Sequence, residues 1–300
     1  MDMTQNKCCR HGANLRRRRR RRRKILRSII FSCSIIAVAV FVAIGCHMIR
    51  SGDGRTNRYD VEAGNNTYDN AVIENSKISE KNKIQNNQSM LDDIMNSTQY
   101  PKQLKDLALK NEEALEFVYD YPAEHVKEHT IDLTEEASMD SVPLFVQWDK
   151  RWGYEKYSGN FFAASGCGPT TLSMVVVYLT HNREASPIAV AKYSKEAGYS
   201  VDGSGSSWTL ISEGCMHYGV KAKAVALDES RMKAELDEGH PIVVNVGPGD
   251  FTDTGHFMVI TGYDDEGFSI NDPNSIEKSG KRWLFKNISS QIRAVWSMYV

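Results

Sequence analysis

Ser165-Gly166-Cys167-Gly168-Pro169-Thr170-Thr171 sets one cysteine between two glycines, directly ahead of the apolar run Leu172-Ser173-Met174-Val175-Val176-Val177-Tyr178-Leu179. That run is long enough for a buried helix. Pro169 suits its first turn, where a missing N–H costs nothing. Cys167 is therefore expected at, or just before, a helix N-terminus. Unpaired N–H groups and the positive end of the helix dipole favour an anion there. A thiol so placed can titrate at roughly 3.5–7.5 instead of about 8.5, which gives a nucleophilic thiolate at neutral pH. The flanking glycines are expected to leave room for a substrate backbone beside the sulfur. The competing reading is a small buried residue in a Gly-rich turn.

Downstream of this helix the pattern moves from helices to strands. A second helix is expected around 189–197, a third over 208–218 and a short one over 229–238, with a strand over 219–225 between the last two. Ile242-Val243-Val244-Asn245-Val246 reads as a buried strand by its β-branched content. Segments 257–263 and 268–270 flank Asp264-Asp265-Glu266-Gly267, a hairpin signal. Segments 283–285 and 294–300 are further strand candidates. Helices first and antiparallel strands later predict an α+β domain over 140–300.

A thiolate nucleophile needs a base, and the base needs an orienting group. His256 follows the glycine loop Gly247-Pro248-Gly249-Asp250…Thr254-Gly255 and opens the strand Phe257-Met258-Val259-Ile260. With the hairpin turn near Asp265, position 256 faces positions close to 272–274. Asp272 is then a direct or diagonal cross-strand neighbour, at about 7–8 Å if diagonal. Pro273 ends the strand and should hold Asp272 at its lip. The alternatives are a satisfied surface histidine and a turn-starting Asp-Pro-Asn. For the developing oxyanion, the N–H of Cys167 is one candidate donor and the side-chain amide of Gln147 the other. His240 stands in a Gly-His-Pro turn and reads as structural. Cys215 and His217 lack further ligands at metal spacing, so neither a metal nor a cofactor is expected.

Charge separates the chain into two environments. Thirteen of its 37 Lys/Arg and one of its 38 acids fall within residues 1–50, so the remainder is acidic. Residues 1–24 form a basic segment ending in eight arginines at 16–23 and Lys24. An uncharged run over 29–49 follows, sufficient for a transmembrane helix over 25–49. The positive excess should stay cytoplasmic, which places the C-terminal part outside the cell. An apolar run so close to the arginines favours the membrane over nucleic acid as their partner. A signal peptide cut after Ala37-Val38-Ala39, or lipidation at Cys46, are the alternatives to a retained anchor. Residues 50–99 read as a polar, largely disordered stalk. Over 100–139, Leu104, Leu107, Ala108, Ala114, Leu115, Phe117 and Val118 recur at helical spacing and predict a helical lead-in that packs on the next domain.

Gln147-Trp148-Asp149…Arg151-Trp152-Gly153, Gly166-Cys167-Gly168-Pro169-Thr170, Gly255-His256-Phe257…Gly262-Tyr263 and Asn271-Asp272-Pro273 together resemble the stand-alone relatives of the bacteriocin-processing, double-glycine leader cysteine peptidases. The resemblance covers about 140–300. It implies a papain-like fold, with a helical half carrying Cys167 and a β half carrying His256 and Asp272. It further implies Cys167 as nucleophile, His256 as general base and Asp272 as orienting group. One departure concerns the oxyanion glutamine, which in the transporter-linked peptidases lies a few residues before the cysteine. Phe161-Phe162-Ala163-Ala164 fills that space here.

Together these features lead to the expectation of a membrane-anchored, outward-facing cysteine peptidase of a Gram-positive bacterium, acting on a peptide or protein substrate. The sequence does not specify an oligomeric state. Two rivals stand beside it. One is an amidase or endopeptidase acting on cell-wall peptides. The other is an inactive surface-binding module in which Cys167 is locked to Cys215.

Overall fold

The computed structural model describes residues 66–300, with side-chain surroundings from residue 80 onward. The basic segment 1–24 and the expected transmembrane helix 25–49 lie outside the described residues. No helix among the described residues is long and apolar enough to cross a membrane.

Where a disordered stalk is expected, the chain forms helix α1, Asn66–Asn96. Its polar composition hides this, but it contains neither Gly nor Pro. Near its C-terminal end Met90, Leu91 and Ile94 share one face by their spacing, and Ile94 is fully buried against the lead-in. Lys105 Nζ donates to the carbonyls of Met95, at 2.9 Å, and Ser97, at 2.7 Å, which satisfies the end of α1.

The lead-in is helical, as its periodicity predicts. Helix α2, Lys102–Lys110, is followed by a 3-10 turn, Glu112–Ala114, and helix α3, Leu115–Tyr119. All seven apolar residues named above are buried. They form a core with Phe161 and Ala163, so the lead-in and the segment just before Cys167 share one hydrophobic cluster. Phe117 stacks on Tyr154, with ring centroids 4.2 Å apart, and its edge lies where a Cβ on Gly153 would sit.

Helix α4, Cys167–Thr180, is buried nearly all round, with Leu172, Met174 and Val175 to Val177 at zero exposure. Helix α5, Pro187–Glu196, begins with Ser186 capping Ala189 N. The expected single helix over 208–218 is two pieces, Thr209–Ser212 and the 3-10 turn Gly214–Tyr218. Gly214 lies against the Tyr199 ring, where a Cβ would approach to 3.0 Å.

The rest is one antiparallel sheet with a helix, α6 (Glu229–Asp237), inserted after its first strand. In chain order its strands are β1 (Lys221–Ala224), β2 (Ile242–Val246), β3 (His256–Asp264), β4 (Gly267–Asn271), β5 (Arg282–Trp283) and β6 (Ile292–Tyr299). Their spatial order is β1-β6-β2-β3-β4-β5. The expected strand over 283–285 ends at Trp283, because Phe285 starts a helical turn. Val243, Phe257, Val259, Trp296 and Met298 face the α4 side. Ile242, Val244, Val246, Met258 and Ile260 pack on the other side with Met232 of α6. Both sheet faces are covered, which explains why β2 reads as continuously apolar. The result is a mixed fold of helices and antiparallel sheet, with α4 laid on the sheet so that its N-terminus meets the start of β3.

Candidate active site

Cys167 is the first residue of α4, with Gly166 as N-cap. Its N–H therefore has no partner within the helix. The two glycines do not open space for a substrate, as the sequence leads one to expect. A Cβ on Gly166 would meet the Phe162 ring at 2.6 Å, and one on Gly168 would meet Ser206 Oγ at 2.5 Å. They let the turn before the helix pack closely inside the protein.

His256 opens β3, opposite Val246 of β2. It is 6% exposed, and Asp272 is fully buried. The His256 Nε2 to Asp272 Oδ1 distance is 2.7 Å. Cys167 interacts with His256 as well, so the imidazole is engaged by both sulfur and carboxylate. With Nε2 committed to Asp272, Nδ1 is the ring nitrogen left for Cys167. Asn274 N donates to Asp272 Oδ1 at 2.8 Å, and Asp272 N donates to Ser279 Oγ at 2.9 Å.

Burial by itself pushes the Cys167 thiol up. The hydrogen bond and charge of His256, with backbone contributions from Phe257 and Gly168, outweigh it and bring the thiol below its ordinary range. For His256, burial pushes the imidazolium down. The Asp272 charge and hydrogen bond, with those of Cys167, reverse this and hold it well above the usual histidine range. The two shifts share a cause, since each charged form stabilises the other.

Gln147 is buried at the same place. Its N–H donates to Pro273 O, and its side-chain Nε2 donates to Ala163 O, both at 2.7 Å. One Nε2 proton remains uncommitted. Gln147, Cys167 and His256 line one hollow of about 510 Å³, together with the charged residues Asp106, Lys110, Asp250, Asp253 and Lys278. A second hollow of about 710 Å³ meets it at Cys167 and is lined by the 203–206 loop, Trp208 and Arg293. Cys167 thus sits where two halves of an open cleft join.

All four residues singled out from the sequence, Cys167, His256, Asp272 and Gln147, come together here. Two supporting residues escape a reading of the sequence. Thr171 Oγ1 donates to Phe257 O at 3.1 Å, clamping the first turn of α4 to β3. Asn245 Nδ2 donates to His256 O at 3.2 Å from the neighbouring strand. A buried polar side chain inside each apolar run was the available signal. The other candidates fall elsewhere. His217 stacks on Tyr193 at 4.1 Å, and His240 Nδ1 lies 3.1 Å from Glu235 Oε2. Cys167 and Cys215 are both free, and burial pushes the Cys215 thiol up to about 11.

The family model described as the Peptidase_C39 like family matches residues 139–300, and the chain belongs to that family. No curated protein matches the sequence. Among solved structures, the chain is similar to the peptidase domain of Streptococcus ComA, a bi-functional ABC transporter involved in a quorum-sensing pathway. That match has 20% identity and a TM-score of 0.36, and covers 45% of this chain and 90% of the other. It is also similar to a C39-like peptidase from Bacillus anthracis, at 17% identity and a TM-score of 0.33, covering 56% of this chain and 97% of the other.

Proposed function

We propose that this protein is a cysteine peptidase that hydrolyses peptide bonds through Cys167, His256 and Asp272. The observation that carries the reading is the buried imidazole of His256, 2.7 Å from Asp272 and sharing one hollow with Cys167, which stands at the N-terminus of a buried helix.

In the resting site the proton resides on His256, and Cys167 is a thiolate favoured by the imidazolium and the helix terminus. The sulfur attacks the scissile carbonyl and forms an S–C bond, and the carbonyl electrons move to oxygen. The Cys167 N–H and the free Nε2 proton of Gln147 are the donors for that oxyanion. His256 returns its proton to the leaving amine as the C–N bond breaks, leaving an acyl-enzyme. It then takes a proton from water, whose oxygen attacks the thioester and releases the acid and the thiolate. Asp272 holds the ring and stabilises its charged form throughout.

The domain is read as extracellular, on a single helix over 25–49 with a cytoplasmic N-terminus. The arginine block beside an uncharged run supports this orientation. Cell-wall peptides remain within the same amide chemistry as a substrate class. Cys167→Ala is expected to abolish peptide hydrolysis while the protein stays folded, and hydrolysis by the purified variant would refute the proposal. Protease shaving of intact cells should remove the 140–300 domain, and its full protection would refute the topology.

A further inference from the structure

The segment that holds the Asp272 loop lies upstream of the family-matched region. Asn111 Nδ2 donates to Asn274 O at 2.9 Å and to Asn274 Oδ1 at 3.1 Å, while Asn111 Oδ1 accepts from Glu113 N at 3.0 Å. Glu113 Oε1 accepts from Ser275 Oγ. Glu113 Oε2 accepts from Ile276 N, at 2.7 Å, and Glu277 N, at 3.1 Å. Two side chains of the lead-in therefore take up five donors or acceptors of residues 274–277. These are the residues that directly follow Asp272-Pro273, more than 160 positions further along the chain.

The same loop reaches the reacting groups by short paths. Asn274 N donates to the Asp272 oxygen that faces His256. Pro273 O accepts from Gln147 N. A shift of the 274–277 backbone is thus passed to the carboxylate and to the glutamine. Asn271 is the last residue tied to the sheet, since β4 ends there. Beyond that point the loop is anchored by Ser279, by Gln147 N on Pro273 O and by the lead-in.

We propose that Asn111 and Glu113 are positioning residues for the Asp272 carboxylate, so that the lead-in is a working part of the active site. This rests on the Cys167–His256–Asp272 reading above. It assigns a role to two residues that lie outside the family-matched segment 139–300. It also explains why α2 lies along the cleft, where Asp106, Leu107, Lys110 and Asn111 line the hollow in front of Cys167.

The test is iodoacetamide alkylation of Cys167 in the full-length protein from pH 5 to 9, read by mass spectrometry of the Cys167 peptide. Wild type, His256→Ala, Glu113→Ala and Glu113→Gln are compared at a temperature where circular dichroism shows each folded. Displacing an orienting group by about an ångström can cost on the order of a hundredfold. Glu113→Ala is expected to slow alkylation at pH 6 by about tenfold, part of the way to His256→Ala, and to move the midpoint upward. Glu113→Gln should recover most of the rate, because its amide can still accept from the backbone N–H groups and donate to Ser275 Oγ. A merely structural role would lower the melting temperature and leave the midpoint in place. Wild-type kinetics in Glu113→Ala would overturn the proposal. So would a Glu113→Gln as slow as Glu113→Ala, which would trace the effect to charge at a distance. If Glu113→Ala does not fold, Asn111→Asp decides by the same readout, since it keeps the acceptor for Glu113 N and sets a repelling carboxylate oxygen where the donors to Asn274 stood. A wild type no faster than His256→Ala would instead refute the peptidase reading itself.

Discussion

His256 and Asp272 lie on the same side of one hairpin because β3 carries one extra residue. Ile260 pairs with Ile270 and Gly262 with Ser269, so Thr261 bulges between them. Continuing the ladder from Val259 and Asn271 sets 256 opposite 274 and makes 272 its diagonal neighbour. Without the bulge the alternation would place the two side chains on opposite faces. The 2.7 Å contact between them therefore depends on a single-residue irregularity five positions from the histidine.

Deletion of Thr261 should accordingly cost more activity than its position suggests. Thr261 lines neither hollow at Cys167, and its hydroxyl makes only a long 3.5 Å contact to Ser269 O. The shortened β3 is expected to lose peptide hydrolysis by a factor on the order of 10²–10⁴, the worth of a positioned general base. Thr261→Ala, which keeps the bulge, should stay within about threefold of wild type if position and not packing matters. Equal losses in the two variants, measured as kcat, would contradict this.

Rate against pH should be bell-shaped and broad. The ascending limb reports Cys167, which lies below the ordinary thiol range, and the descending limb His256, which lies above the ordinary imidazole range. In Asp272→Asn the charge that holds His256 up is gone. Its limb should move to lower pH, narrowing the bell, with kcat down by about 10²–10⁴. A single ascending limb at the ordinary thiol value of about 8.5 would show that no ion pair forms.

Cys215 should stay unmodified under conditions that alkylate Cys167 completely. It is fully buried and its thiol is pushed up to about 11. Intact-mass analysis of native and urea-unfolded protein checks this, and native labelling at Cys215 would contradict the packing around the 3-10 turn Gly214–Tyr218.

The lead-in and the peptidase domain should unfold together. Phe117→Ala removes a 3% exposed ring that packs on Gly153 and Tyr154, with an expected loss of about 3–5 kcal/mol. Urea unfolding should remain one transition followed equally by lead-in and domain fluorescence. Two separate transitions would show that the shared cluster does not couple them.

Acid sensitivity should centre on Glu235. Its carboxyl is lowered to about 2 by the hydrogen bond from Ser297, against burial, and by Lys223 and His240. A depressed carboxylate stabilises the fold above its unfolded value and loses that contribution as pH falls through about 4.5 towards about 2. Glu235→Gln is expected to cost about 1–3 kcal/mol at pH 7, allowing for its partial exposure, and almost nothing near pH 2. A pH-independent difference in urea unfolding would reject the ionic origin.

Much of this arrangement is legible in the chain. The seven periodic apolar residues of the lead-in, the helix behind Cys167, and strands β2, β3 and β4 all follow from local composition and spacing, because the lead-in buries one periodic face while the helix and the strands carry apolar runs bounded by glycines, polar turns or charges. The helix α1 is not legible, since its polar sequence is held at one end by Ile94 in a core that only the folded lead-in creates. Likewise Gly166 and Gly168 suggest openness from the sequence, but contact with Phe162 and Ser206 shows that they serve close packing.

By itself the sequence determined which residues are available for chemistry and which elements carry them: a thiol at a helix start, an imidazole at a strand start, a carboxylate at a strand end. Residue type and period are local properties, and these elements depend on little else. The hairpin spacing already set Asp272 beside His256; the tertiary structure alone decided that the thiol meets this pair, that Gln147 joins them through Ala163 and Pro273, and that Asn111 and Glu113 hold the loop behind Asp272. Those contacts span up to 164 positions and hinge on one bulge and one shared core, which no local pattern encodes.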